Sequence, residues 1–209
     1  MIRQASHHDF NFIYEAIVQS EYSGGDIFPY ESLFGLKPTE FKETVFNIFK
    51  EEIEGMPWHY EHWYINELNG NAAGALCSWV ENADGLSSDL LHAQTLSFLL
   101  PAQWQEAKTR LELLSSVTIP RMSGFVQLEH LYTSQDFRGR GVMRELMQFI
   151  FEINPGKPFE IQVLKGNNNA VSLYEYMGFS VQNEKCNPAI KNLALLSSDC
   201  KLQLTKQHE

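Results

Sequence analysis

Two spacings of apolar residues alternate along the chain, and they predict short strands separated by amphipathic helices. Ile2-Arg3-Gln4-Ala5 reads as a first strand and residues 8–20 and 38–53 as helices. Trp63-Tyr-Ile-Asn-Glu-Leu68 and residues 72–79 read as a β-hairpin, because Asn69-Gly70 between them supplies the residues a two-residue turn prefers. Residues 124–133 form a further strand of β-branched, aromatic and long apolar residues. Apolar residues at 142, 146, 149, 150 and 153 then return to helical spacing. Phe159–Leu164 repeats the strand pattern, and a helix follows that starts in Asn167-Asn-Asn169 and stops at Gly178, with Ala170, Leu173, Tyr174 and Met177 on one face. Lys201–Thr205 is expected to close the sheet.

Composition narrows the class. At 209 residues and 44% apolar content, the chain is long enough to bury roughly 70% of its unfolded surface, which excludes disorder as the main state. No apolar stretch approaches the roughly 20 residues of a membrane span, and Met1–Gln4 lacks the blocks of a signal peptide, so a cytoplasmic, membrane-free protein is expected. Cys77, Cys186 and Cys200 are odd in number, far apart and without a CxxC, so they are expected to be free thiols, with neither a disulfide framework nor a metal. His59 and His62 lack a third ligand at diagnostic spacing. The net charge of −10 argues against nucleic acid as a partner.

Against that acidic background, three of the six arginines, Arg138, Arg140 and Arg144, fall within seven residues. They flank Gly139 and Gly141 between a predicted strand and a predicted helix. Such a turn aims unpaired backbone N–H groups and the positive end of a helix dipole into one concavity, and glycines let the backbone approach an anion. Phosphate is the expected ligand, although neither GxGxxG nor GxxxxGK[ST] is present.

Two segments carry a family resemblance. Arg138-Gly-Arg-Gly141-Val142-Met143 resembles the acetyl-CoA signature Q/R-x-x-G-x-G/A of the GNAT (GCN5-related) N-acetyltransferases, with Met143 where the family has Gly or Ala. Met143 either tightens the turn or points into the core. Asn167, Ala170, Leu173, Tyr174, Gly178 and Phe179 match the second signature, N-x-x-A-x-x-L-Y-x-x-x-G-F. No internal repeat or low-complexity linker interrupts the chain, so a single domain over residues 1–209 is expected, and the resemblance implies the α/β (α+β layered) GNAT fold with a mixed, mostly antiparallel central sheet flanked by helices. It also implies acetyl-CoA as cosubstrate and transfer of acetyl to an amine of a small molecule or peptide, by a monomer or homodimer. The rival class is a catalytically silent sensor that binds acyl-CoA; release of free thiol separates the two. Residues 84–122 exceed the family minimum: Leu86, Leu90 and Leu91 suggest one helix, and Pro101 with Trp104, Ala107, Leu111 and Leu114 another. This insertion before the fourth strand either covers the sheet or contacts a partner copy, or forms a substrate lid.

By the same resemblance, backbone N–H groups of Leu131, Tyr132 and Thr133 hold the pantetheine arm and polarise the thioester carbonyl. Arg138, Gly139, Arg140, Gly141, Val142, Met143 and Asn167 join them around the cosubstrate. Tyr174 stands where the family keeps a tyrosine near the sulfur, and its phenol is the expected general acid. Two-residue alternation places Glu129 on the face of Leu131 and Thr133, as general base in competition with ordered water, and sends His130 to the opposite face in a structural role. Other branches of the family carry the glutamate where this chain has Gln127. Glu21, Asp26 and Glu31 around Gly24-Gly25, and Glu51, Glu52 and Glu54, raise the question of an amine site; a solvated surface is the default for both groups.

Overall fold

The computed structural model describes residues 1–50, 57–83, 85 and 87–207. Leu86, the last residues of the helix expected at 38–53, and Glu51, Glu52 and Glu54 lie outside them. Seven strands form one sheet in the order β1-β2-β3-β4-β5-β7-β6. They are β1 (Ile2–Gln4), β2 (Trp63–Leu68), β3 (Asn71–Val80), β4 (Val126–Thr133), β5 (Phe159–Leu164), β6 (Ser180–Cys186) and β7 (Cys200–Lys206). Every neighbouring pair is antiparallel except β4 and β5. The expected final strand is present but does not close the sheet; β7 inserts beside β5 and leaves β6 at the edge.

The helices are α1 (Phe10–Glu21), α2 (Pro29–Phe34), α3 (Pro38–Lys50), α4 (Ser88–Leu99), α5 (Pro101–Ser115), α6 (Val142–Ile153), α7 (Asn168–Tyr176) and α8 (Pro188–Asn192). Apolar side chains of α1 to α5 cover one face of the sheet, around Trp58, Trp63, Phe41 and Ile17. The other face is covered by Val142, Leu146, Met147 and Ile150 of α6 together with Tyr174 of α7. Two helices escaped the sequence reading. α2 begins at Pro29 and ends at Gly35 in the left-handed region (φ 71°), a short helix whose signals sit within a segment read as a loop. α8 is only five residues long, below the length at which periodicity is visible.

The expectation of free thiols holds for buried Cys77 alone, since Cys186 and Cys200 form a disulfide. The antiparallel pairing of β6 with β7 sets them directly opposite one another, with Cα atoms 4.1 Å apart. That juxtaposition follows from strand register, which their separation of 14 residues does not reveal. His59 caps a 3-10 turn at Tyr60–His62, of which His62 is the last residue. Among the described residues no helix is long and apolar enough to cross a membrane.

Two departures from regular sheet shape the molecule. β4 and β5 pair only through Val126–Phe159, Gln127–Glu160 and Leu128–Ile161, although both strands continue beyond. One residue past the last of these pairs, β4 carries a bulge. Glu129 opposes Cys77 and Tyr132 opposes Ala75, so His130 and Leu131 together face the single residue Leu76. His130 absorbs the kink in the left-handed region (φ 50°).

α6 seats closely against β3 because Gly74 has no side chain. A Cβ there would lie 2.6 Å from Val142 Cγ1 and 2.9 Å from the Tyr132 carbonyl oxygen. Gly74→Ala is therefore expected to destabilise the fold by about 1–3 kcal/mol, as overpacking does. Urea denaturation checks this, and an unchanged midpoint contradicts the close approach.

Candidate functional site

Past the point where β4 and β5 part, a groove of about 830 Å³ opens along β4. Its walls include Leu131, Tyr132 and Thr133 of β4, the start of α6 and the start of α7. With no β5 partner beyond Leu128, this length of β4 presents its outer backbone edge to the groove.

At one end, Gly141 caps α6 in the left-handed region (φ 79°) with no side-chain hydrogen bond to the helix N-terminus. The first N–H groups of α6 lack intrahelical acceptors by helix geometry, so they face the groove uncapped. Gly139 is also left-handed (φ 74°), and a Cβ there would meet nothing within 4 Å. Arg138 and Arg144 line the same end, while Arg140 lies over the Phe137 ring. Met143 is buried among the apolar residues of α6, so it points into the core, with its edge against the groove. These features suit a pyrophosphate: oriented backbone dipoles, no obstructing side chain, and exposed guanidinium groups.

The groove runs into a second cavity of about 550 Å³ on the α1 side of the sheet. Their common rim includes Ser20, Leu131, Asn167, Ala170 and Tyr174. Asn167 caps α7 by accepting from the Ala170 N–H. Tyr174, one turn further on, is buried, and its hydroxyl makes no hydrogen bond among the described residues. Burial alone raises its pKa, so the phenol keeps its proton at neutral pH.

α4 and α5, from the insertion, wall the second cavity with Leu96, Trp104, Leu111 and Leu114. Glu81, buried at the end of β3, fixes the start of α4 by accepting from the backbone N–H and hydroxyl of Ser88 and from the Trp79 indole. Arg121 ties the far end of the insertion down through ion pairs with Asp89 and Glu129. The insertion thus covers the sheet and shapes the cavity at once.

The bulge in β4 overturns one expectation. Strict alternation would aim His130 away from Glu129, but the extra residue turns both toward the α1 side, with His130 Nε2 3.9 Å from Glu129 Oε2. Leu131 packs with the apolar residues of the α6 side instead, so Glu129 does not share its face. His130 is locked in place. The Trp58 indole donates to Nε2 (2.9 Å), so Nδ1 carries the proton and donates to the Ser20 hydroxyl (2.7 Å), which in turn donates to the Ile17 carbonyl. Burial lowers its pKa to about 4, leaving it neutral with both ring nitrogens used.

The carboxylates facing the cavity differ in character. Burial pushes Glu129 up, but the adjoining Arg121 guanidinium more than reverses this and holds it to about 2. Burial, reinforced by the Glu129 charge, raises Glu21 to about 7, and 23% of its side-chain surface remains open. Of the three acids flagged around Gly24-Gly25, only Glu21 faces the cavity; Asp26 and Glu31 are exposed. Lys201 of β7 also faces the cavity, and burial lowers its pKa. Sequence reasoning missed Arg121 and Lys201, because neither lies in a motif and only tertiary structure brings them to this chamber.

These pKa displacements dictate how stability depends on pH. Folded Glu21 keeps its proton up to about 7, whereas an ordinary glutamate loses it near 4.5. In that window the folded state binds more protons than the unfolded one, so Glu21 subtracts stability as pH rises. Glu21→Gln is expected to melt at a higher temperature than the native protein at pH 8 and at the same temperature at pH 4.5. Thermal denaturation at the two pH values measures this, and coincident melting at pH 8 contradicts the assigned environment.

Comparison with known proteins fits this geometry. A family model described as the acetyltransferase (GNAT) family matches residues 30–179. An N-acetyltransferase from Staphylococcus aureus Mu50 superposes with a TM-score of 0.67 at 16% identity, over 98% of this chain and 99% of that one. A histone acetyltransferase HPA2 and related acetyltransferase from Corynebacterium glutamicum gives 0.59 at 15%, over 100% and 96%. A ribosomal-protein-alanine N-acetyltransferase from Brucella melitensis gives 0.53 at 13%, over 99% of each chain. At such identities the superpositions speak to the fold alone. A search of curated proteins returns no significant match.

Proposed function

The chain belongs to the GNAT acetyltransferase family, and on that premise we propose that it transfers acetyl from acetyl-CoA directly to a primary amine of a small molecule or peptide. One observation carries the reading. The uncapped glycine cradle at α6 and the acceptor cavity meet at a single rim, and Tyr174 stands on it with its hydroxyl unpaired among the described residues.

Bound acetyl-CoA supplies an activated thioester; the remaining work falls to this chain. Gly139, Gly141 and the first N–H groups of α6 hold the pyrophosphate, with Val142 and Met143 forming the floor and Arg138, Arg140 and Arg144 supplying positive potential. The N–H groups of Leu131, Tyr132 and Thr133 bind the pantetheine arm and stabilise negative charge developing on the carbonyl oxygen. A preorganised donor of this kind contributes about 3–4 kcal/mol in the transition state. Asn167 fixes the start of α7 and thereby the position of Tyr174.

Glu21 takes the proton of the attacking amine as the carbon–nitrogen bond forms. Tyr174 gives its proton to the sulfur as the carbon–sulfur bond breaks. We assign the base to Glu21 in preference to Glu129, because a carboxylate held to about 2 by Arg121 is a poor proton acceptor, whereas one near 7 is matched to the task. Glu129 instead holds Arg121 in place.

Gly139→Glu projects a carboxylate into the pyrophosphate cradle and is expected to weaken CoA binding at least about a hundredfold while the circular dichroism spectrum is kept. Calorimetric titration with CoA reads the effect, and native affinity in the variant removes this turn from the site. Tyr174→Phe is expected to cut turnover by about a hundredfold with little change in KM for acetyl-CoA. Thiol release from acetyl-CoA in the presence of a panel of amines reads this. Native turnover in the variant discards the acid role, and CoA binding without thiol release from the native protein favours a sensor.

A further inference from the structure

Most buried charges in this protein have partners. Glu160, fully buried on β5, accepts from the Met122 N–H and from the side chains of Gln127, Gln162 and Gln203. Glu81 is satisfied by Trp79 and Ser88, and the terminal nitrogens of Arg121 are taken by Asp89 and Glu129. Two charges facing the acceptor cavity do not follow this pattern. The Lys201 ammonium has neither a hydrogen bond nor an ion pair among the described residues. Glu21 comes no nearer to a cationic group than 4.0 Å from His130 Nδ1, on a ring that is neutral.

Glu21 and Lys201 look into the same chamber, yet they form no ion pair with each other. Desolvating two opposite charges without pairing them is costly, and a ligand bearing both counter-charges offsets that cost. A simple alkylamine answers Glu21 and leaves Lys201 unpaired. An acidic ligand without an amine answers Lys201 and leaves nothing to acetylate. Arg121 lines the chamber too, but its Nε is buried without a partner and its terminal nitrogens are occupied, so it offers a ligand no open donor. Part of the chamber's lining is apolar, with Phe34 and Trp104 stacked at 5.9 Å and 18°.

Resting on the acetyl-transfer reading above, we infer that the acceptor is an amino-acid-like zwitterion, its amine facing Glu21, its carboxylate bound by Lys201, and its apolar side chain against Phe34 and Trp104. Lys201 is then a specificity-determining residue. It lies on β7, far in sequence from the cosubstrate groove, and takes no part in the proton transfers. A carboxylate is recognised here by a half-buried ammonium, a charge-assisted bond that typically changes affinity by on the order of tenfold or more.

The test compares ligands that differ only in the carboxylate: leucine against 3-methylbutylamine, and phenylalanine against 2-phenylethylamine. Binding to the full chain with saturating CoA is followed by calorimetry, so the result does not depend on turnover. In at least one pair the amino acid is expected to bind about tenfold more tightly than its decarboxylated partner. Lys201→Gln is expected to reduce that preference to within about twofold, and Lys201→Arg to retain it. Equal affinities in the native protein, no binding by either amino acid, or a preference that survives in Lys201→Gln each overturns the inference. The native comparison stands even if Lys201→Gln fails to fold. Thiol release from acetyl-CoA is measured in parallel: Lys201-dependent binding without thiol release keeps the recognition and overturns acyl transfer, whereas thiol release with the decarboxylated amines alone does the reverse.

Discussion

Everything functional in this molecule depends on two parallel strands that cease to pair. β4 and β5 are joined through Leu128 and Ile161 and then diverge. An unpaired strand edge inside a protein is expensive unless something satisfies its backbone groups. Here the edge lines a groove broad enough for an extended ligand, and the helix after β4 starts at the groove's end with its own N–H groups uncapped. A ligand with a diphosphate and an amide-bearing arm meets both needs, which is why the parting of the strands, the glycine turn and the helix dipole form one device.

The bulge in β4 adds the second half. By inserting one residue beside Glu129, it turns the strand so that Glu129 and His130 share a side and Leu131 goes to the other. His130, held by Trp58 and Ser20, fixes the end of α1 against the strand, and Glu21 sits one residue beyond Ser20. Glu129, held ionised by Arg121, adds its negative charge to the burial that raises the pKa of Glu21. The raised pKa of Glu21 thus owes part of its height to a neighbour that Arg121 keeps charged.

How much of this was legible in the sequence follows from the range of each interaction. Gly139, Gly141 and Asn167 declare themselves because turn and cap chemistry is local, and the same holds for the Asn69-Gly70 hairpin and for Pro101 at the head of α5, whereas Tyr174 stands out only through the family resemblance. The bulge was not legible: period-two alternation assumes an unbroken ladder, and nothing around His130 marks the extra residue. Lys201 and Arg121 were missed because their meaning lies in what they fail to pair with, or pair with from a distance. The Cys186–Cys200 bond was missed because strand register, not spacing, brings the sulfurs together. Helical spacing did find the insertion, but its role in walling the cavity rests on Arg121 and Glu81, which anchor its two ends.

The central claim is that the groove along the outer part of β4 is a coenzyme A site whose diphosphate rests on the start of α6. Amide hydrogen exchange followed by mass spectrometry, with and without CoA, tests it most directly. The account predicts slowed exchange confined to the outer part of β4 around residues 131–133 and to the turn and first helical residues around 138–145. Unchanged exchange in both segments at saturating CoA, with protection elsewhere, contradicts it.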